Sequence, residues 1–243
     1  MIKGIYRSAS GMVPQVKKQE AIANNIANSG TTGFKQDVTF NRELTRAETK
    51  VTRGRTDWQT ALENRVHVDH APGVFDKTDN PLDFALEGDG FFTLQSPEGE
   101  TMLTRSGSFM VDDAGFLSFP GGFRVVGTGG PIQVGDGSPV VGDTGDVEIN
   151  GTNVGQITAQ SVEDVSRLNR VGGSLFAVPQ GEELTPSIST RIRQGYLETS
   201  NVDVVREMVD MIVAYRTYEA NAKSLQIQDT SLDHLFSRVT GQS

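Results

Sequence analysis

A switch in hydrophobic period, helical at both ends and alternating in the middle, restricts this chain to few architectures. Near the N-terminus Ile2, Ile5, Ala9, Met12, Val16, Gln19, Ala23 and Ile26 follow one another in steps of three and four, the spacing of a coiled-coil seam. The pattern predicts a helix over 2–28 that stops at Ser29-Gly30-Thr31-Thr32-Gly33. Pro14 is expected to kink or restart it, because proline lacks an amide proton and crowds the preceding turn. A second helix is predicted from near Ser200, where Ser200 and Asp203 have the spacing of a capping box. Along it Met208, Met211, Tyr215, Tyr218, Ala222, Leu225, Asp229 and Leu232 again alternate three and four, and Val202, Val205, Val209 and Ile212 form a second stripe. One stripe satisfies one partner helix; two on the same turns ask for several neighbours.

Between the helices the period falls to two. Phe91–Gln95, Thr101–Arg105, Ser108–Val111, Phe116–Phe119 and Phe123–Val126 read as strands separated by turns rich in Gly, Pro and Asp. Asn150-Gly151, between Val147–Ile149 and Asn153–Ala159, is a hairpin signal, and Ser174–Val178 reads as a further strand. With 27 glycines in 243 residues, short strands with many turns are expected, as in a small barrel or sandwich. The fold class is therefore α+β: a mainly antiparallel β central domain whose N- and C-terminal helices pair as a coiled-coil arm. Residues 1–35 and 200–243 form the helical domain, 36–70 an extended or partly helical connector, and 71–199 the β-rich domain.

A net charge of −9 without a basic cluster argues against nucleic-acid binding, which needs grouped Lys and Arg to neutralise phosphates. No apolar run reaches the roughly 18 residues of a membrane helix, so no membrane insertion is expected. The absence of cysteine excludes disulfides, thiolate zinc sites and cysteine nucleophiles. Residues 1–7 lack the apolar stretch of a secretory signal; by these criteria alone the chain reads as cytosolic.

Catalytic and cofactor motifs are weak. Gly88-Asp89-Gly90 lacks the third glycine of a dinucleotide fingerprint and reads as a turn leading into a strand. His67, Asp69 and His70 crowd together without further evident ligands, and read as solvated side chains of the connector. Asp136-Gly137, Asp143 and Gly145-Asp146 lack EF-hand spacing. Glu98 and Glu100 have nothing to fix a catalytic separation, and there is no G-x-S-x-G elbow. No enzyme activity, catalytic residue, metal or cofactor is expected.

Two long terminal helices gain most of their stability from packing, and ordering each residue costs roughly 1–2 kcal/mol of backbone entropy. A two-helix arm with a surplus apolar stripe therefore fits a polymer subunit whose helices are completed by other copies. Periodicity alone leaves open an ordinary α+β monomer with both helices packed on the β domain.

Ala21-Ile22-Ala23-Asn24-Asn25-Ile26-Ala27-Asn28, followed by Thr32-Gly33-Phe34-Lys35, resembles the N-terminal signature of flagellar rod and hook proteins, with Ser10-Gly11-Met12 in step before it. Gln194-Gly195-Tyr196-Leu197-Glu198-Thr199-Ser200-Asn201-Val202-Asp203 resembles the family's C-terminal signature, continued by Arg216, Tyr218, Glu219, Asn221 and Ala222. Asn80–Phe92 and Thr104–Phe109 resemble the start of its β domain. The resemblance implies a structural subunit of the basal-body rod, polymerising into a hollow axial shaft that transmits torque, houses the export channel and is needed for motility. Its partners would be copies of itself, other rod and hook proteins and the flagellar type III export apparatus. Its place would be the rod in the periplasm, reached without signal cleavage. Chain length leaves the proximal-rod type F and the distal-rod type G, and Gly4-Ile5-Tyr6 and the short length lean to type F. Alternatives from other classes are a periplasmic peptidoglycan-binding or carbohydrate-active protein and a transient rod assembly factor.

The residues expected to build the assembly seams are Ile2, Ile5, Ala9, Met12, Val16, Ala23, Ile26, Val205, Met208, Val209, Ile212, Tyr215, Leu225 and Leu232. The motif residues are Asn24, Asn25, Asn28, Gly33, Phe34, Gly195, Glu198, Ser200 and Asn201. For the three asparagines two readings stand: they help end the helix, or their amides bond across subunits and fix register.

Overall fold

The computed structural model describes residues 2–44, 61–135, 137–179, 181–187 and 189–241, with side chains described for 8–39, for 66–234 within those ranges, and for 237 and 241. The chain forms two compact units. One comprises Met1–Ala27, Asp37–Asp69 and Asp203–Ser243; the other comprises Asn28–Gln36 and His70–Val202.

The first unit contains helix α1 (Ile2–Ala27), a hairpin of β1 (Asp37–Leu44) and β2 (Ala61–Val68), and helix α2 (Val204–Thr240). α1 runs unbroken through Pro14, so the expected restart does not occur. α2 is capped by Asp203, whose carboxylate accepts from the amides of Val205 and Arg206 at 3.0 and 3.2 Å, satisfying two of the orphan donors of a helix start. The capping box anticipated at Ser200 is not formed; the Ser200 hydroxyl instead accepts from Val202 N at 3.3 Å. Residues 36–70 are not simply a connector: β1 and β2 pair antiparallel, from Asp37 opposite Val68 to Leu44 opposite Ala61. Residues 45–60 lie outside the described residues.

The helices pack antiparallel, as the contacts of Lys18 with Asp210 (3.8 Å) and of Gly11 with Asn221 show. A Cβ on Gly11 would stand 3.3 Å from the side-chain nitrogen of Asn221, a tight contact that places the two residues against each other. Among the described α2 positions that are buried or half-buried, Glu207, Met211, Ala214, Tyr218, Asn221, Leu225, Gln228 and Leu232 alternate in steps of four and three, with Val204, Asp210, Ala222 and Ser224 half-buried beside them. On α1 the buried residues are Pro14, Ala21, Ile22 and Asn25. The predicted α1 stripe lies along one flank of this face: Met12, Gln19 and Ile26 are half-buried, while Ala9, Val16 and Ala23 are exposed. The side chains of Ile2 and Ile5 lie outside the described residues. The true inner faces carry Lys18, Asn25, Glu207, Asn221 and Gln228, which is why apolar periodicity placed the seam to one side.

The second unit is antiparallel throughout. Its main sheet runs in the order Asn169–Gly172, Leu175–Ala177, Thr101–Thr104, Phe92–Gln95, Phe123–Gly127, Leu117–Phe119, Met110–Val111, with Gly130–Pro131 also pairing Phe123–Gly127. Pro139–Val141, Asp146–Ile149 and Thr152–Gln156 make a three-stranded sheet. Its second turn is Asn150-Gly151, with φ of 53° and 79°, as a tight hairpin with two left-handed residues requires. Three short pairs, among them Tyr196–Glu198 with Phe75–Lys77, complete the unit. Strand pairing leaves the main sheet open. The core comprises Phe84, Leu86, Phe92, Leu94, Phe109, Leu117, Val125, Ile157, Ile192 and their neighbours, which the alternating strands deliver to a common interior.

Phe92 is fully buried, with its ring 5.2 Å from that of Phe109 in edge contact. Phe92→Ala is expected to cost about 3–5 kcal/mol, read from denaturant unfolding of the whole chain, whereas Val140→Ala, at an exposed strand position, should stay within about 0.5 kcal/mol of the parent. A second expectation concerns the Asp112 turn. Hydrogen bonds from the Phe116 amide first, and also from Arg124 and the Ala114 amide, hold the Asp112 carboxyl below its ordinary value of 3.8. A carboxylate shifted this way contributes stability above its unfolded pKa and loses it as pH falls through the lower folded one. The parent should therefore exceed Asp112→Asn in stability at neutral pH, and the gap should close on acidification below about pH 4.

Candidate functional site: a buried charge cluster and an apolar helix face

Residues 28–36 pass into the second unit through tightly determined turns. Thr31 donates through its amide to Asn28 O at 3.0 Å and through its hydroxyl to Asn28 Oδ1 at 3.4 Å. Gly33 has φ of +66°, and a Cβ there would lie 2.2 Å from Ser106 N, so both conformation and space demand glycine. Its amide donates to Glu198 O at 2.8 Å. Phe34 is fully buried, with the Arg170 guanidinium 4.3 Å from its ring centroid, and Arg170 also donates to Lys35 O.

Lys35 has no solvent exposure. Its ammonium donates to Ala71 O at 2.8 Å and to Glu198 Oε1 at 2.5 Å. Glu198, equally inaccessible, also accepts from Gly73 N at 2.9 Å on the same oxygen. Glu198 Oε2 lies 3.6 Å from Arg105, too long for a hydrogen bond but close enough for Coulomb attraction. Arg105 is itself buried, and burial lowers its pKa while Glu198 and then Asp89 pull it back up. A Cβ on Gly73 would meet Thr199 O at 2.0 Å, so glycine is what lets this amide reach the carboxylate. Asn201 adds a second tie: it accepts from Gln36 N at 2.7 Å and donates to Ala71 O at 3.1 Å. Gly195, with φ of +78°, turns the chain into Tyr196–Glu198 and donates to Asp83 O at 2.8 Å.

In the first unit Asn25 is buried and clasps β1, donating to Asp37 O at 2.9 Å and accepting from Asp37 N at 2.8 Å. Asn25 thus engages both ends of its amide with Asp37, Asn28 accepts from Thr31 through its Oδ1, and Asn24 is exposed. On α2, Val205, Met208, Val209, Ile212, Val213 and Tyr215 are each more than half exposed. Leu225 and Leu232 are half-buried. Six large apolar residues within three turns of one helix make a sizeable apolar surface, of the kind that marks an interaction site.

The structure brings Gly33, Phe34, Glu198 and Asn201 into one cluster and leaves Ser200 to a local turn. Sequence reading missed Lys35 as a site residue, together with Gly73, Arg105 and Arg170. Lys35 stands within the quoted Gly-Phe-Lys step, and the only available signal was a lysine directly after a large apolar residue at a turn. Among the described residues there is no group of three or more His, Asp or Glu side chains placed to hold a metal. His67 is exposed, but His70 is not simply solvated; its ring packs 5.7 Å from Phe91 and 5.4 Å from Phe176. Gly88 and Gly90 carry φ of 124° and 131° in the turn before Phe91. Asp136 lies outside the described residues, and Asp146 accepts from the Thr144 hydroxyl at 2.6 Å within a turn. No helix among the described residues is long and apolar enough to cross a membrane.

Three family models match the chain: "Flagella basal body rod protein" over residues 5–35, "Flagellar hook protein FlgE/F/G D1 domain" over 85–159, and "Flagellar basal body rod FlgEFG protein C-terminal" over 193–237. The chain is 30% identical over 260 residues to the flagellar basal-body rod protein FlgG of Buchnera aphidicola, covering 97% of this chain and 99% of the relative. It is 32% identical over 257 residues to FlgG of Borreliella burgdorferi, covering 96% and 97%. It is 30% identical over 246 residues to the basal-body rod protein FlgF of Rhizobium meliloti, covering 99% of each. The chain belongs to the flagellar basal-body rod family.

Removing one member of a buried ion pair strands the other, at about 3–5 kcal/mol. Glu198→Gln should show a loss of that size in unfolding experiments. Lys35→Met added to it should restore part, because the lone ammonium is then gone while the amide oxygen still accepts from Gly73.

Proposed function

We propose that the chain is a structural subunit of the bacterial flagellar basal-body rod, in which copies polymerise with other rod and hook proteins into a hollow shaft that transmits torque to the hook and encloses the export channel. The observation that carries this reading is the exposed apolar run on α2, from Val205 to Tyr215. At about 25 cal/mol per Å² of apolar surface removed from water, a face of this kind gains substantially from a neighbour, and a repeated contact between identical chains supplies one. A heterologous contact that does not close generates a helical filament. The first unit, with its two helices and hairpin, is then the part that meets neighbouring copies, its helices continuing into a multi-stranded coiled coil. The β-rich unit faces outward. The four-three spacing of the inner α2 positions supports the coiled-coil element of this reading.

Type F suits the chain better than type G. The alignment to the FlgF relative spans 246 positions, close to the chain's own 243, whereas the FlgG alignments stretch to 260 and 257 and need longer insertions. Export by the flagellar type III apparatus without signal cleavage, and a final place in the periplasm, belong to the same proposal. So does a purely mechanical role, without catalysis or cofactor.

The test combines an in-frame deletion with a surface variant. The deletion should yield basal bodies whose rods stop before the hook, while mass spectrometry finds the protein in parental ones. The pair Val209→Glu and Ile212→Glu should leave the purified chain folded, by circular dichroism and unfolding midpoint, yet absent from basal bodies. Complete rods in the deletion strain, or incorporation of the double glutamate variant, would oppose the reading.

A further inference from the structure

The chain passes between its two units four times, at 27/28, 36/37, 69/70 and 202/203. Three stretches of the second unit therefore lead to or from the first: 28–36, the segment after 70, and the segment before 202. All three are tied to one another within a few residues of the crossings. Lys35 joins the first stretch to Ala71 and Glu198. Glu198 joins the third to Gly73 and, through its carbonyl, to Gly33. Asn201 joins Gln36 to Ala71, and Thr199 N donates to Val74 O at 2.8 Å. No side chain of the main-sheet core is needed for these bonds.

We propose that Lys35, Glu198 and Asn201 form a mechanical clasp, acting as positioning residues that share force among the crossings they flank, at 36/37, 69/70 and 202/203, so that no single linker carries it alone. This deepens the rod-subunit reading and rests on it. Burying a lysine and a glutamate is a poor way to gain stability, since an apolar pair of equal volume is often as stable or more so. What the pair supplies is direction. The ammonium reaches two acceptors on different segments, and the carboxylate oxygen takes two donors on different segments, so no segment can shift without breaking a charged hydrogen bond in a site closed to water. Such bonds are roughly twice as strong as neutral ones, and in the low-dielectric interior a broken one is not replaced by solvent. The glycines fit the same purpose, because Gly33 and Gly73 let the segments lie against each other's backbone, where a Cβ would collide. In a shaft subunit under torsion these crossings are the covalent path between the units. Separate loose linkers would each yield, whereas crossings tied to one another move together.

The experiment uses Asn201→Ala, which removes the ties to Gln36 and Ala71 and leaves the buried pair in place, beside Val125→Ala, a core change remote from the clasp. Both are placed in the full chain and expressed in motile cells. Unfolding midpoints are compared first, and Ile157→Val replaces Val125→Ala if it matches the stability of Asn201→Ala more closely. Basal bodies are then assayed for the protein, and swimming is followed as the medium is made more viscous. The proposal expects all variants in the rods and all swimming in dilute medium. The Asn201→Ala strain alone should lose motility, with broken rods by electron microscopy, at viscosities where the parent and the stability-matched core variant still swim. Equal loss in both variants would assign the effect to stability alone and overturn the clasp. Undiminished swimming of Asn201→Ala at every viscosity would overturn it as well. Absence of even the parent protein from basal bodies would instead remove the rod reading, and the clasp's role with it.

Discussion

A lysine and a glutamate that both lie wholly out of water set the terms for the rest of this molecule. The Lys35–Glu198 pair, at 2.5 Å, joins residues 163 positions apart in sequence. Closing so long a loop costs chain entropy that grows only slowly with length, but the closure must be specific, and a buried charged bond tolerates little misplacement. Around the pair everything is arranged for close approach: Gly33 against the Arg105–Ser106 backbone, Gly73 against Thr199, and Phe34 beneath Arg170. Arg105 gives the cluster a second positive charge, held near Glu198 and over the Phe91 ring at 5.4 Å. The consequence is that the beginning and the end of the β-rich unit are one structural element, although the sequence places them at opposite ends.

The two units solve different problems. The β-rich unit has an apolar core of its own, with Phe84, Phe92, Leu94, Leu103 and Phe176 essentially inaccessible to solvent. The helical unit buries few large apolar side chains among its described residues, and half of its inner α2 positions are polar or small. Ala214 and Ile22 are its most buried apolar members, with Glu207 and Asn25 buried beside them. Polar residues at such positions contribute little stability but specify register. Val205, Met208, Val209, Ile212, Val213 and Tyr215 of α2 are left exposed, while Met211, Tyr218, Leu225 and Leu232 are half-buried. The proposed rod assembly would account for this division: one unit has its own core, and the exposed apolar surface of the other would be covered by neighbours.

The β strands and turns were legible because their signals are local. Asn150-Gly151, the Asp112–Gly115 turn and the Phe91–Gln95 alternation each declare themselves within a few residues. Both helices were legible from period. Their orientation was not, because Lys18, Asn25, Glu207 and Gln228 line the inner faces and do not read as apolar. The β1–β2 hairpin was missed although Val38, Phe40 and Leu44 alternate with Asp37, Thr39, Asn41 and Glu43, because Arg42 interrupts the apolar face and pairing across residues 45–60 leaves no local trace. The charge cluster was the least legible part. Gly33, Phe34, Glu198 and Asn201 stood out by resemblance, but no spacing rule connects Lys35 with Glu198, or either with Gly73. Tertiary closure alone brings them together.

The central claim is that the exposed apolar face of α2 is covered when the rod is built. The chain has no cysteine, so a single Val209→Cys variant offers one thiol on that face and nowhere else. Its labelling by a water-soluble maleimide is compared between the purified chain and isolated basal bodies, with protein content matched. The account predicts rapid labelling of the purified chain and strong protection within the rod, released when the rod is dissociated. Equal labelling in both states would mean that the face remains open to water in the assembled structure, and would contradict the account directly.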